Sequence, residues 1–169
     1  LDKKTEDFLN MIDSQKRLIY KVTNAYCRAS EGREDLVQEI ILQLWQSYDK
    51  YNSNYKLTTW TYRIALNTAI SYYRKSKKRL DSTTDLLPII ETNLISAEPY
   101  QENKEVKMLY SFIQELKEID KALILLYLDE LSHKEIAEVM GISTTNVATK
   151  ISRIKKNLQL KFQSHFKNK

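Results

Sequence analysis

Between Tyr55 and Arg79 the chain reads YKLTTWTYRIALNTAISYYRKSKKR, with five aromatic residues, seven Lys or Arg and no carboxylate. Rings, hydroxyls and amides of this kind stack or donate hydrogen bonds. Cations interleaved with them and unopposed by carboxylates suit a surface that meets phosphate. A second group of this kind comprises Ser143, Thr144, Thr145, Asn146, Thr149, Lys150, Ser152, Arg153 and Lys156. Here short polar groups precede the cations, an order suited to base edges first and duplex phosphates behind them. Covalent chemistry has no comparable signature. Cys27 is the single cysteine, which rules out an internal disulfide and a multi-Cys zinc site. With only His133 and His165 besides, both expected on surfaces, no protein-built metal site is predicted. No nucleophile, base and oxyanion constellation or phosphate-cradling glycine loop occurs, so neither a catalytic residue nor a cofactor is expected. The chain reads as a binding protein and not an enzyme.

The net charge of +5 is unevenly spread. Residues 1–79 carry 15 Lys or Arg against 9 Asp or Glu, residues 80–103 carry 0 against 5, and residues 104–169 carry 12 against 8. Carboxylates are missing between Asp49 and Asp81 and again after Glu138, so positive charge gathers on particular elements, as a phosphate-facing surface requires. The acidic segment LDSTTDLLPIIETNLISAEPYQEN holds both prolines, Pro88 and Pro99, and has no helical period. It reads as a flexible acidic linker over 80–103 between domains at 1–79 and 104–169, although composition by itself favours no more than a solvated polar loop.

The elements that position these groups are predicted to be helices. Two glycines and two prolines in 169 residues argue against a turn-rich sheet fold, and 42% hydrophobic residues suffice for a core. The fold class expected is all-α, two small helical domains. In EDLVQEIILQLWQSY, residues 34–48, Leu36, Val37, Ile40, Ile41, Leu44 and Trp45 form one apolar stripe. Tyr62, Ala65, Leu66, Ala69, Ile70 and Tyr73 form a second, turning Arg63, Asn67, Thr68, Ser71, Tyr72, Arg74 and Lys75 outward. Farther on, DKALILLYLDEL over 120–131 reads as a buried helix. Ser132 and Glu135 have the spacing of a capping box, Gly141 marks a tight turn, and Ser143 can cap the helix after it. Small Ala137 suits a close helix crossing. Val147, Ile151, Ile154 and Leu158 make the inner stripe of the last helix. Helix, glycine turn and helix together read as a helix-turn-helix. No apolar run approaches the roughly 20 residues of a membrane span, and the first residues lack a signal peptide's apolar core. A cytoplasmic protein without membrane insertion is expected.

Three of these stretches, in this order and separated by a linker, resemble the bacterial sigma-70 family of RNA polymerase sigma factors, in particular its extracytoplasmic-function (ECF) group. EDLVQEIILQLW resembles that family's polymerase-binding helix, YKLTTWTYRIALNTAISYYRKSKKR its promoter-melting segment, and LSHKEIAEVMGISTTNVATKISRIKKNL its upstream-element reader. The resemblance covers nearly the whole chain. It implies that residues 1–79 are sigma region 2 and residues 104–169 are sigma region 4, and that the protein directs core polymerase to promoters and helps melt them. By the same resemblance, Asp35, Gln38 and Glu39, with Leu44 and Trp45 as apolar support, contact the clamp helices of the polymerase's largest subunit. The second domain would meet the flap of the second-largest subunit. Tyr51, Asn52, Ser53, Asn54, Tyr55 and Lys56 occupy the loop that receives a base flipped from the minus-ten element, and Trp60, Arg63, Asn67, Thr68 and Ser71 lie along the helix reading its neighbours. Arg74, Lys75, Lys77, Lys78 and Arg79 would touch duplex phosphate beside the bubble, and the residues from Ser143 to Lys156 named above would read the minus-35 element. Single- and double-stranded promoter DNA and an anti-sigma factor complete the implied partners. The linker would thread polymerase channels that RNA later occupies, its five carboxylates imitating a phosphate backbone.

Blander readings compete residue by residue. Aromatics at helical spacing usually pack, which favours a core role for Trp60. The five cations at 74–79 also suit a solvated helix end at a negative dipole terminus, and Cys27 reads as a small buried apolar residue. Ala148 and Lys150 depart from the basic residue and the Arg common in the family, and YNSNYK departs from its acidic and small residues, which bears on promoter preference and not on role. Two alternatives remain on sequence alone. A self-sufficient helix-turn-helix regulator would dimerise on a palindrome, whereas a helical protein-interaction module would not bind single-stranded promoter DNA.

Overall fold

The computed structural model describes residues 2–27, 30–82 and 104–167. Asp2 opens the first helix as its N-cap, accepting a bond from the Thr5 amide at 3.1 Å. The Thr5 bonds hold its carboxyl below the usual carboxylate range. Helices α1 (Lys3–Tyr26), α2 (Ser30–Ser47) and α3 (Leu57–Ser82) follow, with a single 3₁₀ turn at Tyr48–Lys50 between α2 and α3. The second set is α4 (Lys104–Gln114), α5 (Glu118–Leu128), α6 (His133–Met140) and α7 (Thr144–Lys167). No strand occurs among the described residues. The contacts divide the chain into two compact units, Leu1–Ile89 and Ile90–Lys169.

In the first unit α1, α2 and α3 each pack on the other two. The predicted stripes are buried there: Leu36, Ile40 and Leu44 are fully buried, as are Tyr62, Ala65, Leu66 and Ala69, together with Ile19 and Val22 of α1. Each large aliphatic side chain so buried contributes about 1.5–3 kcal/mol. Val37, Ile41, Trp45 and Tyr73, at the margins of the stripes, are half-buried. The α3 helix is longer than the motif that announced it and continues to Ser82, so residues 80–82, read as linker, are helical. The rest of the linker reading falls on 83–103, outside the described residues.

In the second unit α5 is buried along Lys121–Leu126, and α6 and α7 pack against it. Two chain reversals there place a residue at positive φ. After α5 the turn is made by Glu130, at φ 60°, with Leu131 N–H donating to the Leu126 carbonyl and Glu130 N–H to that of Tyr127. After α6 it is made by Gly141, at φ 67°, whose N–H donates to the Ala137 carbonyl at 2.9 Å. Both are Schellman-type ends, in which a left-handed residue satisfies the last carbonyls of a helix. Only the glycine adopts that backbone without cost.

Candidate nucleic-acid and polymerase interfaces

The outward edge of α2 follows from its buried one. With Leu36, Ile40 and Leu44 inside, the 3.6-residue period leaves Asp35, Gln38 and Glu39 exposed, and Gln43 donates to Glu39 at 3.0 Å. Leu44, expected to help contact a partner, has no exposed surface and supports the helix from beneath. Trp45 is half-buried. It packs edge-on against Phe8 with centroids 4.9 Å apart, and the Lys4 ammonium lies 5.1 Å from its ring. Phe8 also packs edge-on against Tyr48 at 5.2 Å, and Lys4 pairs with Asp49 at 2.7 Å.

The loop 51–56 has built-in order. Asn52 closes an Asx turn by accepting from the Asn54 amide at 2.9 Å, and its carbonyl accepts from the Tyr55 amide at 3.0 Å. The Tyr51 hydroxyl donates to the Tyr55 carbonyl at 2.9 Å, while its ring lies tilted on Trp60, centroids 4.9 Å apart. Trp60 therefore belongs to neither simple alternative: it is half-buried and makes one wall of an aromatic pair at the surface. Asn52, Ser53, Asn54, Tyr55 and Lys56 are exposed, Tyr55 to 60%.

Along α3, Arg63, Asn67, Ser71, Arg74, Lys75, Lys77, Lys78 and Arg79 are exposed, with no acidic side chain in this run of the chain. Two residues expected on that face turn inward. Thr68 is half-buried and its hydroxyl donates to the Ile64 carbonyl at 2.8 Å. Tyr72 packs over the α1–α2 junction, where a Cβ on Gly32 would stand 3.3 Å from its hydroxyl and 2.8 Å from Cys27 Sγ. Burial first, and then the charges of Cys27 and Asp35, push the phenol up, with Arg79 opposing. Cys27, expected to be buried, is half-buried. This junction was not legible beforehand because Gly32 offers no pattern until its neighbours in space are known.

In the second unit the cap set by Ser132 and Glu135 is complete. Ser132 accepts from the Glu135 amide at 3.2 Å and the Glu135 carboxylate accepts from the Ser132 amide at 2.9 Å. Ser143 accepts from the Asn146 amide at 3.2 Å, which starts α7. Val147, Ile151, Ile154 and Leu158 are buried, and Ser143, Thr144, Thr145, Asn146, Thr149, Ser152, Arg153 and Lys156 are exposed. Lys150 is half-buried and lines a shallow cleft with Arg153, Asn157 and the α4–α5 turn. Lys155 is tethered away from the others, donating to the Tyr127 hydroxyl at 3.2 Å. Among the described residues no cluster of His, Cys, Asp and Glu could hold a metal ion. No helix among them is long and apolar enough to cross a membrane.

Comparison with known proteins agrees with this division. The sigma-70 region 2 family model matches residues 11–79, and the sigma-70 region 4 model matches residues 107–158. The ECF RNA polymerase sigma factor SigW of Bacillus subtilis is 32% identical over 157 residues, covering 86% of this chain and 83% of the relative. SigM of the same organism is 30% identical over 143 residues, covering 83% and 86%. Among solved structures, the sigma factor RpoE of Bartonella quintana, in complex with the anti-sigma factor NepR, superposes with a TM-score of 0.75. It is 18% identical, and the match covers 94% of this chain and 98% of that one. CnrH, in complex with the cytosolic domain of CnrY, gives a TM-score of 0.68 at 18% identity, covering 95% and 90%. Two region models in order along one all-helical chain, and relatives matched over most of their length, make this protein a member of the ECF group of RNA polymerase sigma factors, acting in promoter-directed initiation of transcription.

Proposed function

We propose that the two units divide initiation between them, with residues 1–79 binding core polymerase and opening the minus-ten element and residues 104–169 reading the minus-35 element. The observation that carries this is the surface of α3 and its preceding loop: a Tyr51–Trp60 aromatic pair, exposed Tyr55 and eight exposed polar or cationic residues of α3 with no carboxylate among them. On this reading Asp35, Gln38 and Glu39 bind the clamp helices, with Trp45 at the margin of that contact. Asn52, Ser53, Asn54 and Lys56 line the place of the flipped base beside Tyr51 and Tyr55. Trp60, Arg63, Asn67 and Ser71 meet the adjoining bases, and Arg74, Lys75, Lys77, Lys78 and Arg79 meet phosphate. Stacking supplies about 1–3 kcal/mol per base against an unstacking cost of a few, so melting is a joint act of this protein and polymerase.

On α7, Thr144, Thr145, Asn146 and Thr149 face base edges, and Ser143, Lys150, Ser152, Arg153 and Lys156 face the backbone. The flap of the polymerase's second-largest subunit holds this unit. The family consists of non-catalytic initiation factors, and the protein acts without catalytic residues of its own, in the cytoplasm where polymerase works. RpoE was solved with the anti-sigma factor NepR, and CnrH with the cytosolic domain of CnrY. By analogy, an anti-sigma factor occludes the polymerase-binding surfaces here.

Reconstituted transcription tests the proposal. Core polymerase with this protein is expected to start transcripts at sites sharing two spaced upstream motifs, and core polymerase alone is not. A folded protein that neither binds core nor yields defined starts would sink it.

A further inference from the structure

Lys4 and Phe8 lie upstream of the region 2 match, which begins at residue 11. Nothing in the family assignment gives them a role. Yet both reach across the bundle to one short element, the 3₁₀ turn Tyr48–Lys50 and the Trp45 before it. Phe8 is 4% exposed and sits edge-on to two rings, Trp45 at 4.9 Å and Tyr48 at 5.2 Å. Lys4 spans the same place from the surface, its ammonium 2.7 Å from the Asp49 carboxylate and 5.1 Å from the centroid of Trp45.

The turn they hold is the entry to loop 51–56. The Tyr51 amide donates to the Tyr48 carbonyl at 3.1 Å, so the backbone of the turn carries directly into the residue whose ring stacks on Trp60. Tyr48 is thus one backbone hydrogen bond away from the Tyr51–Trp60 pair. A 3₁₀ turn of three residues has poorer hydrogen-bond geometry than an α-helix, so side chains packed on it bear on where it sits. Here the first turns of α1 add an aromatic edge and a charge pair to the turn's contacts with α2.

We infer that Lys4 and Phe8 are positioning residues that set the geometry of the strand-capture loop by clamping the 3₁₀ turn before it. The inference rests on the proposed role of loop 51–56 in holding the displaced strand. It deepens that role by tying it to an element outside the recognised region.

The two tryptophans allow a direct test, because Trp45 sits in the clamp and Trp60 in the loop's aromatic pair. In the full chain carrying Trp45→Phe, the remaining emission reports Trp60. Lys4→Ala and Phe8→Leu are each expected to raise acrylamide quenching of Trp60 and shift its emission. They should also weaken capture of a single-stranded minus-ten oligonucleotide by the complex with core polymerase roughly three- to ten-fold, with core affinity changed by less than about two-fold. Unchanged Trp60 quenching in both variants, with helical circular dichroism intact, would overturn the inference. If Phe8→Leu fails to fold, Lys4→Ala decides alone, since that side chain is exposed. Tyr55→Ala and Asn52→Ala separate the two levels of the argument. If they leave strand capture intact, the proposed role of the loop fails, whereas if they abolish capture while the Lys4 and Phe8 variants do not affect it, only the clamp fails.

Discussion

The two units hold their binding groups in opposite ways. In the second, backbone capping does the positioning: the Ser132–Glu135 box, the left-handed Gly141 and the Ser143 cap fix where α7 begins and which way its first turn faces. In the first, the groups before α3 sit on a non-helical loop held by side chains, through the Tyr51–Trp60 pair, the Asn52 turn and the contacts of Lys4 and Phe8 on the preceding 3₁₀ turn. The difference matches the two proposed targets. A duplex presents a regular groove that a rigid helix can enter with few adjustments. An unpaired strand presents bases in no fixed array, and holding them takes rings and donors placed around a pocket.

The contrast can be broken most forcefully through charge. Replacing Arg74, Lys75, Lys77, Lys78 and Arg79 together by Gln should reduce promoter binding by the polymerase complex on the order of a hundred-fold or more at moderate salt. It should also flatten the log–log salt dependence by about 3 to 4, measured by titration at several salt concentrations. A salt slope left as it was would mean that these cations only solvate a helix end.

Next in size is a crossed pair of substitutions. Tyr55→Ala should cost about 1–3 kcal/mol in capture of the single-stranded minus-ten element and leave binding to the upstream duplex unchanged. Thr145→Ala should do the reverse, at about 1 kcal/mol, both read by fluorescence anisotropy in the complex with core polymerase. Effects that fail to cross would show that the units do not divide the work.

The caps themselves offer a smaller test by thermal unfolding. Gly141→Ala meets open space, so its cost is the left-handed backbone alone, about 1–2 kcal/mol. Ser132→Ala should cost about 0.5–2 kcal/mol by losing the capping box. Both should weaken duplex reading and leave strand capture as it is.

The smallest expected effects are gains. The Thr61 hydroxyl is buried in the first unit with no hydrogen-bond partner among the described residues, so Thr61→Val should stabilise by about 1 kcal/mol. Glu130→Gly, which relieves a non-glycine left-handed residue, should gain up to about 1 kcal/mol in the second. A loss at either site would show that its local geometry serves something other than the fold.

Much of this protein was legible in one dimension because helices write their burial into a 3.6-residue period. The centres of the stripes, Leu36, Ile40 and Leu44, Tyr62 to Ile70 and Val147 to Leu158, are buried as their spacing required, and the Ser132, Gly141 and Ser143 signals act within a few residues of themselves. The order of its basic, acidic and basic segments was likewise readable as charge along the chain. What the spacing could not decide were contacts between residues far apart in sequence. Period alone put Tyr72 and Thr68 outward, and only the packing of α3 against the α1–α2 junction and its own preceding turn drew them in. Spacing favoured a core role for Trp60, yet it lies half-buried beside Tyr51 at the surface, and Lys4 and Phe8 carried no signal until the bundle brought them to Trp45, Tyr48 and Asp49. The physical reason is the same in each case: local sequence sets which face of a helix is apolar, but which partner covers that face, and what lies at its margin, is set by how the helices pack in three dimensions.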